Sequence, residues 1–308
     1  MAGTVGKRSV QPPAPTFLRS PRLTVEIAAP GSGYAGARFD WSSFVTQVTL
    51  DGRHRFLAPE AQRPGVGTGG NGLCCEFDIL GPAGFAETAV GESFPKWGVG
   101  LLTRPDDRPY DFSRAYPITP FARATTATAT RLESITEAEP CRGLALRTER
   151  ALEVVDCDLL SDVTVVNTGT RAVHTREYCH NFACIDGHAI GPDYRLELSQ
   201  PLCVDQQDPW FRSTDSVLHP HRVVPAGANA YVCGPLDPDP RGFTWRLMHV
   251  PSGVSISEQV LSQPGPALCA VWATGHVICP EVFVDAVLAP GERRSWRRRY
   301  AFAVGLEA

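Results

Sequence analysis

Short β-like runs separated by turn-forming residues are the feature that most limits what this chain can fold into. Examples are "RLTVEIAA" (22–29), "FVTQVTL" (44–50) and "ALCAVWAT" (267–274), and the second of these ends at "DG", a strong hairpin signal. About fifteen such runs occur, without βαβ alternation, a blade-length repeat or an amphipathic helix longer than two turns. The pattern predicts an all-β fold, a large antiparallel sandwich, with a propeller as the alternative.

Domain organisation follows from the same pattern. Residues 1–20 are rich in Pro, Ser and basic residues without periodicity, so we expect a flexible N-terminal lead-in. Residues 21–308 are expected to form a single domain, because large β folds commonly exceed the usual domain size without dividing.

Charge and cysteine usage limit the partners and the compartment. The formal net charge is -4, and the one dense basic run, "ERRSWRRRY" (292–300), is interpreted as a solvated strand edge, so no nucleic acid partner is expected. No apolar run reaches the length of a membrane span. The 10 cysteines contain no CxxC pair and mostly lie in apolar runs, which favours free thiols and a cytoplasmic location.

The stretch "EYCHNFACIDGHAIGPDY" (177–194) is the densest group of reactive side chains. On a strand, Tyr178 and His180 face one way while Glu177 and Cys179 face the other, so these groups cannot all serve one site. A zinc site or a redox site is therefore disfavoured, and we expect neither a metal nor another cofactor. His180 remains as a general acid or base, with a core histidine bonded to backbone as the alternative.

The carboxylate that could act together with His180 is Glu281 in "HVICPEVFVDAVLAPGE". It interrupts an apolar run, and a lone buried charge is very costly, so Glu281 either faces a cleft or is paired. If the two residues act on a sugar ring, about 5 to 8 Å should separate them, by analogy with the carboxyl pairs of glycoside hydrolases.

Two further segments carry candidate substrate contacts. The Gly-rich stretch "GESFPKWGVGLL" places Lys96 and Trp97 in what is interpreted as a loop lining a pocket, where an aromatic face could stack on a sugar. Arg38 precedes the strand at 44–50 and could donate to neighbouring oxygens, although a surface pair with Asp40 is equally ordinary.

Four passages, in this order, resemble the galactose mutarotase-like superfamily that includes the aldose 1-epimerases. They are "GYAGARFDWSSFVTQVTLDG", "GESFPKWGVGLL", "DVTVVNTGTRAVHTREYCHNF" and "CPEVFVDAVLAPGERRSWRRRYAF". The resemblance implies a twisted antiparallel β-supersandwich that holds a monosaccharide on a concave face. We expect a monomer or a homodimer. It also implies that Glu281 takes a proton from the anomeric hydroxyl while His180 protonates the ring oxygen.

The sequence also departs from the family pattern. The histidine that the family usually has near 70–100 is missing, and Glu76 and Lys96 stand in that region instead. The binding aspartate of the family has no clear match either. A lyase or isomerase of a keto or acidic sugar, with Lys96 stabilising an enolate, is therefore one alternative. A non-catalytic sugar-binding module is another. His188 and Asp193, which follow His180, are expected at the rim of the cleft.

Overall fold

Strands account for nearly all regular structure in this protein. A computed structural model describes residues 14–63 and 66–305, which contain 22 strands and one 3-10 helix, Phe85–Glu87. The first eleven strands are β1 Thr16–Arg19, β2 Leu23–Ala28, β3 Phe44–Leu50, β4 His54–Arg55, β5 Leu73–Phe77, β6 Ser93–Lys96, β7 Gly100–Thr103, β8 Ile118–Pro120, β9 Ala122–Ala127, β10 Arg131–Glu137 and β11 Leu146–Val155. The others are β12 Asp158–Asn167, β13 Val173–Asn181, β14 Tyr194–Leu198, β15 Phe211–Thr214, β16 Val217–Pro220, β17 Ala230–Pro235, β18 Phe243–His249, β19 Val254–Leu261, β20 Leu268–Ala273, β21 Ile278–Leu288 and β22 Arg293–Val304.

The all-β prediction is confirmed, although the strands are more numerous than the sequence suggested. The run 124–137 alternates small or apolar with polar residues, as a single strand would, but it is the hairpin β9–β10, because the chain turns between Ala127 and Arg131. The hairpin signal after β3 is confirmed. Asp51 and Gly52 both have positive φ, as the tight turn between β3 and β4 requires.

Two antiparallel sheets form the body of the described chain. One has nine strands, in the order β1-β2-β3-β5-β13-β21-β20-β17, with β4 added beside β3. The other has ten, in the order β15-β16-β14-β18-β19-β22-β12-β11-β10-β9. A small third sheet consists of β6, β7 and β8. The largest apolar core unites residues of both large sheets, including Cys179 and Val282 of the first with Trp296 and Tyr300 of the second.

The turn "NTGT" at 167–170 leads from β12 in one large sheet to β13 in the other, so these consecutive strands are not partners. β12 pairs with β11 and β22, while β13 pairs with β5 and β21. The Asn167 side chain explains why the chain crosses here. Its amide donates to the carbonyl oxygens of Arg171 and Leu288, at 2.8 and 3.0 Å, and so ties the end of β12 to β21 in the other sheet.

The basic run at 292–300 is a central strand, so its interpretation as a solvated edge is wrong. β22 lies between β19 and β12, and its side chains alternate between solvent and the core. Arg298 is fully buried, and its guanidinium group pairs with Glu177 at 2.6 Å and with Glu258 at 2.9 Å. Burial is possible because both carboxylates compensate the charge.

The remaining sequence expectations concern the N-terminus, the cysteines and membrane association. Residues 1–13 of the expected lead-in lie outside the described residues, and Thr16–Arg19 form strand β1, paired with β2. All 10 cysteines are free thiols, and Cys74, Cys179, Cys184, Cys269 and Cys279 are buried. Among the described residues, no helix has the length and apolar character needed to cross a membrane.

Candidate active site

A cavity of about 620 Å³ opens on the face of the nine-stranded sheet that is turned away from the ten-stranded sheet. Its floor contains His180 of β13, Glu281 of β21 and Trp272 of β20, which are three adjacent strands. Segments outside the sheet close the sides, namely residues 78–81 after β5 and Phe112 in the loop between β7 and β8. A volume of this size is typical of sites for small organic molecules.

Strand register brings His180 and Glu281 together at the floor of the cavity. β13 and β21 pair Glu177 with Val284, and the bridge between Ala183 and Ile278 continues the same register, which puts His180 directly opposite Glu281. His180 Nε2 lies 3.1 Å from Glu281 Oε1, and both residues are 5% exposed. The separation is shorter than the 5 to 8 Å expected from sequence, because the residues are cross-strand neighbours on one face.

Burial favours the uncharged form of both groups. Removal from water raises the pKa of the Glu281 carboxyl to about 8, opposed by Arg38 and assisted by the charge of Glu76. Burial also holds the pKa of His180 well below its ordinary value, and the positive charge of Arg38 acts in the same direction. Near neutral pH the pair is therefore a carboxylic acid beside a neutral imidazole. His180 Nδ1 has no hydrogen-bond partner within the described residues.

Arg38 borders the cavity and is held by a buried charged cluster. Its Nε donates to Glu76 at 2.8 Å, its Nη1 to Thr68 at 2.9 Å and its Nη2 to the Tyr178 hydroxyl at 2.9 Å. The guanidinium carbon lies 4.5 Å from the ring centre of Phe39 and 4.4 Å from that of Phe112. Such stacking and pairing fix the group in one position beside His180 and Glu281.

Glu76 and Lys96 support this cluster and do not line the cavity. Both are completely buried, and Lys96 Nζ donates to Glu76 Oε1 at 3.1 Å and to the Phe77 carbonyl oxygen at 2.5 Å. The expectation that they contact substrate is therefore corrected, because both are fully buried and their charged groups compensate each other. Lys96 also ends strand β6, so the stretch expected to be a loop is a hairpin of the small third sheet.

Three other expected contacts lie away from this cavity. Trp97 is 1% exposed and belongs to the main apolar core. His188 borders a second cavity of about 780 Å³ and stacks on His249, with ring centres 4.0 Å apart. Asp193 is exposed and lines neither cavity. The chain leaves the sheet after Asn181, and this carries the residues that follow away from the floor.

Several lining residues were not singled out by the sequence. Asp78 has a positive φ of 54° just after β5, and its carboxylate accepts hydrogen bonds from the Thr175 hydroxyl and the Arg176 amide. Burial raises the pKa of Asp78 to about 6. Trp272 packs edge-on against His180, with ring centres 5.5 Å apart. Its position in the alternating run "ALCAVWAT" was the available signal, but alternation does not show which face meets a cavity.

No group of three or more His, Cys, Asp or Glu side chains in the described ranges is arranged to hold a metal ion. A zinc site built from the stretch 177–194 would combine His180 and His188 with Cys184 or Asp186. Those residues are divided, because His180 lines the candidate site while His188, Cys184 and Asp186 line the second cavity. The Asp186 carboxylate there accepts a hydrogen bond from the Nδ1–H group of His54 at 2.7 Å.

Several solved structures have a fold similar to that of this chain. Slr1438 from Synechocystis sp. PCC 6803 has a TM-score of 0.60 at 13% identity, over 98% of this chain and 100% of that one. A galactose mutarotase related enzyme from Lactobacillus acidophilus has a TM-score of 0.59 at 11% identity, over 95% and 100%. A galactose mutarotase-like protein from Lactobacillus casei has a TM-score of 0.59 at 10% identity, over 94% and 100%.

The amino-acid sequence by itself identifies no relatives of this chain. No family model matches it, and no curated protein matches it. At identities this low the structural similarity defines the fold, and function has to be argued from the site. The similarity nevertheless covers almost the whole of both chains in each comparison. The chain therefore has the galactose mutarotase-like fold, a large antiparallel β-supersandwich.

Proposed function

We propose that this protein is a carbohydrate-active isomerase of the aldose 1-epimerase-like type, acting by acid–base proton transfer on a monosaccharide or sugar derivative. The observation that carries the proposal is the contact between His180 and Glu281, 3.1 Å apart, at the floor of a cavity of small-molecule size. Perturbed titratable groups in a concave site are typical of acid–base catalysis.

The protonation states suggest how the two groups divide the work. Glu281, as the carboxylic acid, delivers its proton to the ring oxygen, and the neutral His180 accepts the proton of the anomeric hydroxyl. The bond between the anomeric carbon and the ring oxygen breaks, which leaves an open-chain aldehyde. Rotation about the adjacent carbon–carbon bond and reversal of the proton transfers give the other anomer. These roles are the reverse of those that the family resemblance implies.

The short separation of the pair suits this chemistry. The ring oxygen and the anomeric hydroxyl oxygen share one carbon, so both lie on the same small part of the sugar. An acid and a base in mutual contact address two such neighbouring oxygens from one side of the ring. The sugar then lies above the pair, within the cavity, where Trp272 and Phe112 present aromatic surface to its C–H groups.

Arg38 has a supporting part in this proposal. Three of its N–H groups are used by Glu76, Thr68 and Tyr178, and the second hydrogens of its two terminal nitrogens remain for a sugar oxygen. Its fixed positive charge also disfavours protonation of His180, which keeps that group available as the base.

The proposal is tested by measuring anomer interconversion by NMR exchange spectroscopy with a broad panel of aldoses. We expect acceleration by the wild-type protein and a loss of roughly 10²–10⁴-fold in Glu281→Gln, since the amide cannot deliver a proton. Val155→Ser, an exposed substitution on β11 in the other sheet, is the control. No acceleration with any aldose, or full activity in Glu281→Gln, would contradict the proposal.

One observation favours a second candidate, a non-catalytic sugar-binding module. A histidine and a carboxyl group in direct contact also satisfy each other, as a purely structural pair does. This candidate predicts saturable sugar binding without turnover, and binding that survives His180→Ala. The lyase alternative with Lys96 as the enolate-stabilising group lacks such support, because Lys96 is fully buried and paired with Glu76.

A further inference from the structure

The walls of the candidate site are much more apolar than its floor. Ile79, Leu80, Leu268 and Phe283 border the cavity, and Tyr231 stands at its mouth. Leu80 is 87% exposed and Tyr231 is 54% exposed, so part of this largely apolar lining faces water. Exposed apolar groups that are grouped around a cavity, rather than scattered singly, indicate a binding surface.

The charged side chains of the lining are largely used by the protein itself. All three nitrogens of Arg38 donate within the buried cluster. Arg176 binds Asp285 through Nε and Nη2, at 2.5 and 2.9 Å. Asp78 accepts from Thr175 and from the Arg176 amide.

The polar groups that remain for a sugar are mainly His180, Glu281 and the second hydrogens of the Arg38 terminal nitrogens, so the walls offer few partners to the other hydroxyls of a free hexose. A buried hydroxyl without a partner weakens binding, because it gives up its hydrogen bonds to water. The size of the cavity also favours a ligand larger than a free hexose. At about 620 Å³ it lies in the middle of the range that encloses drug-sized ligands, which are larger than a free hexose.

We infer that the substrate of this site is a monosaccharide derivative carrying an apolar substituent, such as an alkyl, aryl or acyl group, at a position away from its anomeric carbon. The inference rests on the proposed function, since it assumes that the sugar ring meets His180 and Glu281. The substituent then extends from the polar floor towards Leu80 and Tyr231, where its burial supplies affinity that the missing hydroxyl contacts do not.

Matched sugars test this inference directly. Dissociation constants are measured by ligand-observed NMR for D-glucose and D-galactose and for their 3-O-benzyl and 6-O-benzyl derivatives, whose anomeric hydroxyl is free. We expect at least one benzyl derivative to bind roughly tenfold or more tightly than its parent sugar. Leu80→Ser should remove that advantage, and Val155→Ser should not, although both replace an exposed apolar side chain.

The outcomes separate this inference from the proposed function. Equal affinity of parent and benzyl sugars, or an advantage that persists in Leu80→Ser, overturns the inference even if anomer interconversion is accelerated. Tight binding of a benzyl sugar without any acceleration supports the inference and overturns the isomerase. Absence of binding by every sugar in the panel overturns both.

Discussion

His180 and Glu281 show how burial, more than residue type, sets the chemistry of a side chain. The sequence identifies an imidazole and a carboxyl group. In water at neutral pH the imidazole would be mostly neutral and the carboxyl group would be fully ionised. Beneath the cavity the carboxyl group keeps its proton, because neither water nor a close unshared cation stabilises its charge. Arg38, the cation whose charge acts on Glu281, is paired with Glu76.

The pair makes stability depend on pH in a narrow window. Unfolding lowers the pKa of Glu281 from about 8 to 4.5 and raises that of His180 to 6.5. Below pH 6.5 the unfolded imidazole takes up a proton while the folded carboxyl group holds one, so the two contributions oppose each other. Above 6.5 only the folded pair retains a proton, so the free energy of unfolding should fall by about 2 kcal/mol on reaching pH 8.

Urea denaturation across this window measures the effect. Glu281→Gln should show no fall between pH 6.5 and 8, because no carboxyl group remains to be held protonated. Asp78, the other lining carboxyl group with a raised pKa, changes stability only below about pH 6 and so does not interfere. An equal fall in wild type and variant would show that Glu281 is ionised in the folded protein.

Strand β13 has one face turned towards the candidate site and the other packed in the core between the large sheets. Tyr178 and His180 face the cavity side, while Glu177, Cys179 and Asn181 face the core between the large sheets. Asn181 donates to Glu258 and to the Pro280 carbonyl oxygen, and accepts from the Tyr300 hydroxyl. The alternation predicted from the sequence is confirmed for this strand.

Substitution of two adjacent residues tests this division. His180→Asn should reduce anomer interconversion by at least about a hundredfold while changing the free energy of unfolding little. Asn181→Ala should leave the folded protein active but cost roughly 1–3 kcal/mol, because buried groups of Pro280 and Tyr300 lose their partner. Activity and urea denaturation are measured on both variants. Loss of activity in Asn181→Ala without loss of stability would contradict the assignment.

The two large sheets are joined by a row of buried ion pairs as well as by apolar packing. Arg150 links Asp40 to Glu177, and Arg298 links Glu177 to Glu258, with every one of these residues at most 5% exposed. Trp245 and Trp296 donate to the same carboxylates. Such a network stabilises the fold only while it is complete, because a remaining unpaired charge is costly.

Substitution of two neighbouring arginines of β22 measures the free-energy cost of leaving buried carboxylates unpaired. Arg298→Met leaves Glu177 and Glu258 without their shared cation, so we expect a loss of roughly 3–5 kcal/mol in the free energy of unfolding. Arg299→Met removes a half-exposed cation paired with Asp158 at the surface, and should change stability little. Similar midpoints for the two variants in urea would show that the buried network contributes no more than a surface pair.

Much of the fold was available from the sequence because strands leave a local signal. Alternation of apolar and polar residues, with Gly, Asn and Asp at turns, located β2, β3 and most of the later strands. The sheet to which each strand belongs was not available in the same way. β12 and β13 are joined by one tight turn but belong to different sheets, because this depends on pairing with β22, β5 and β21, which are distant in sequence.

By itself the sequence determined that the chain is all-β, that β13 presents His180 on one face and Glu177 on the other, and that Glu281 interrupts an apolar strand. Only the tertiary structure decided that β13 and β21 are neighbours in a register that sets His180 against Glu281. It also decided that Lys96, Trp97, His188 and Asp193 lie elsewhere. The physical reason is that side-chain periodicity is local, whereas register and burial arise from packing between distant strands.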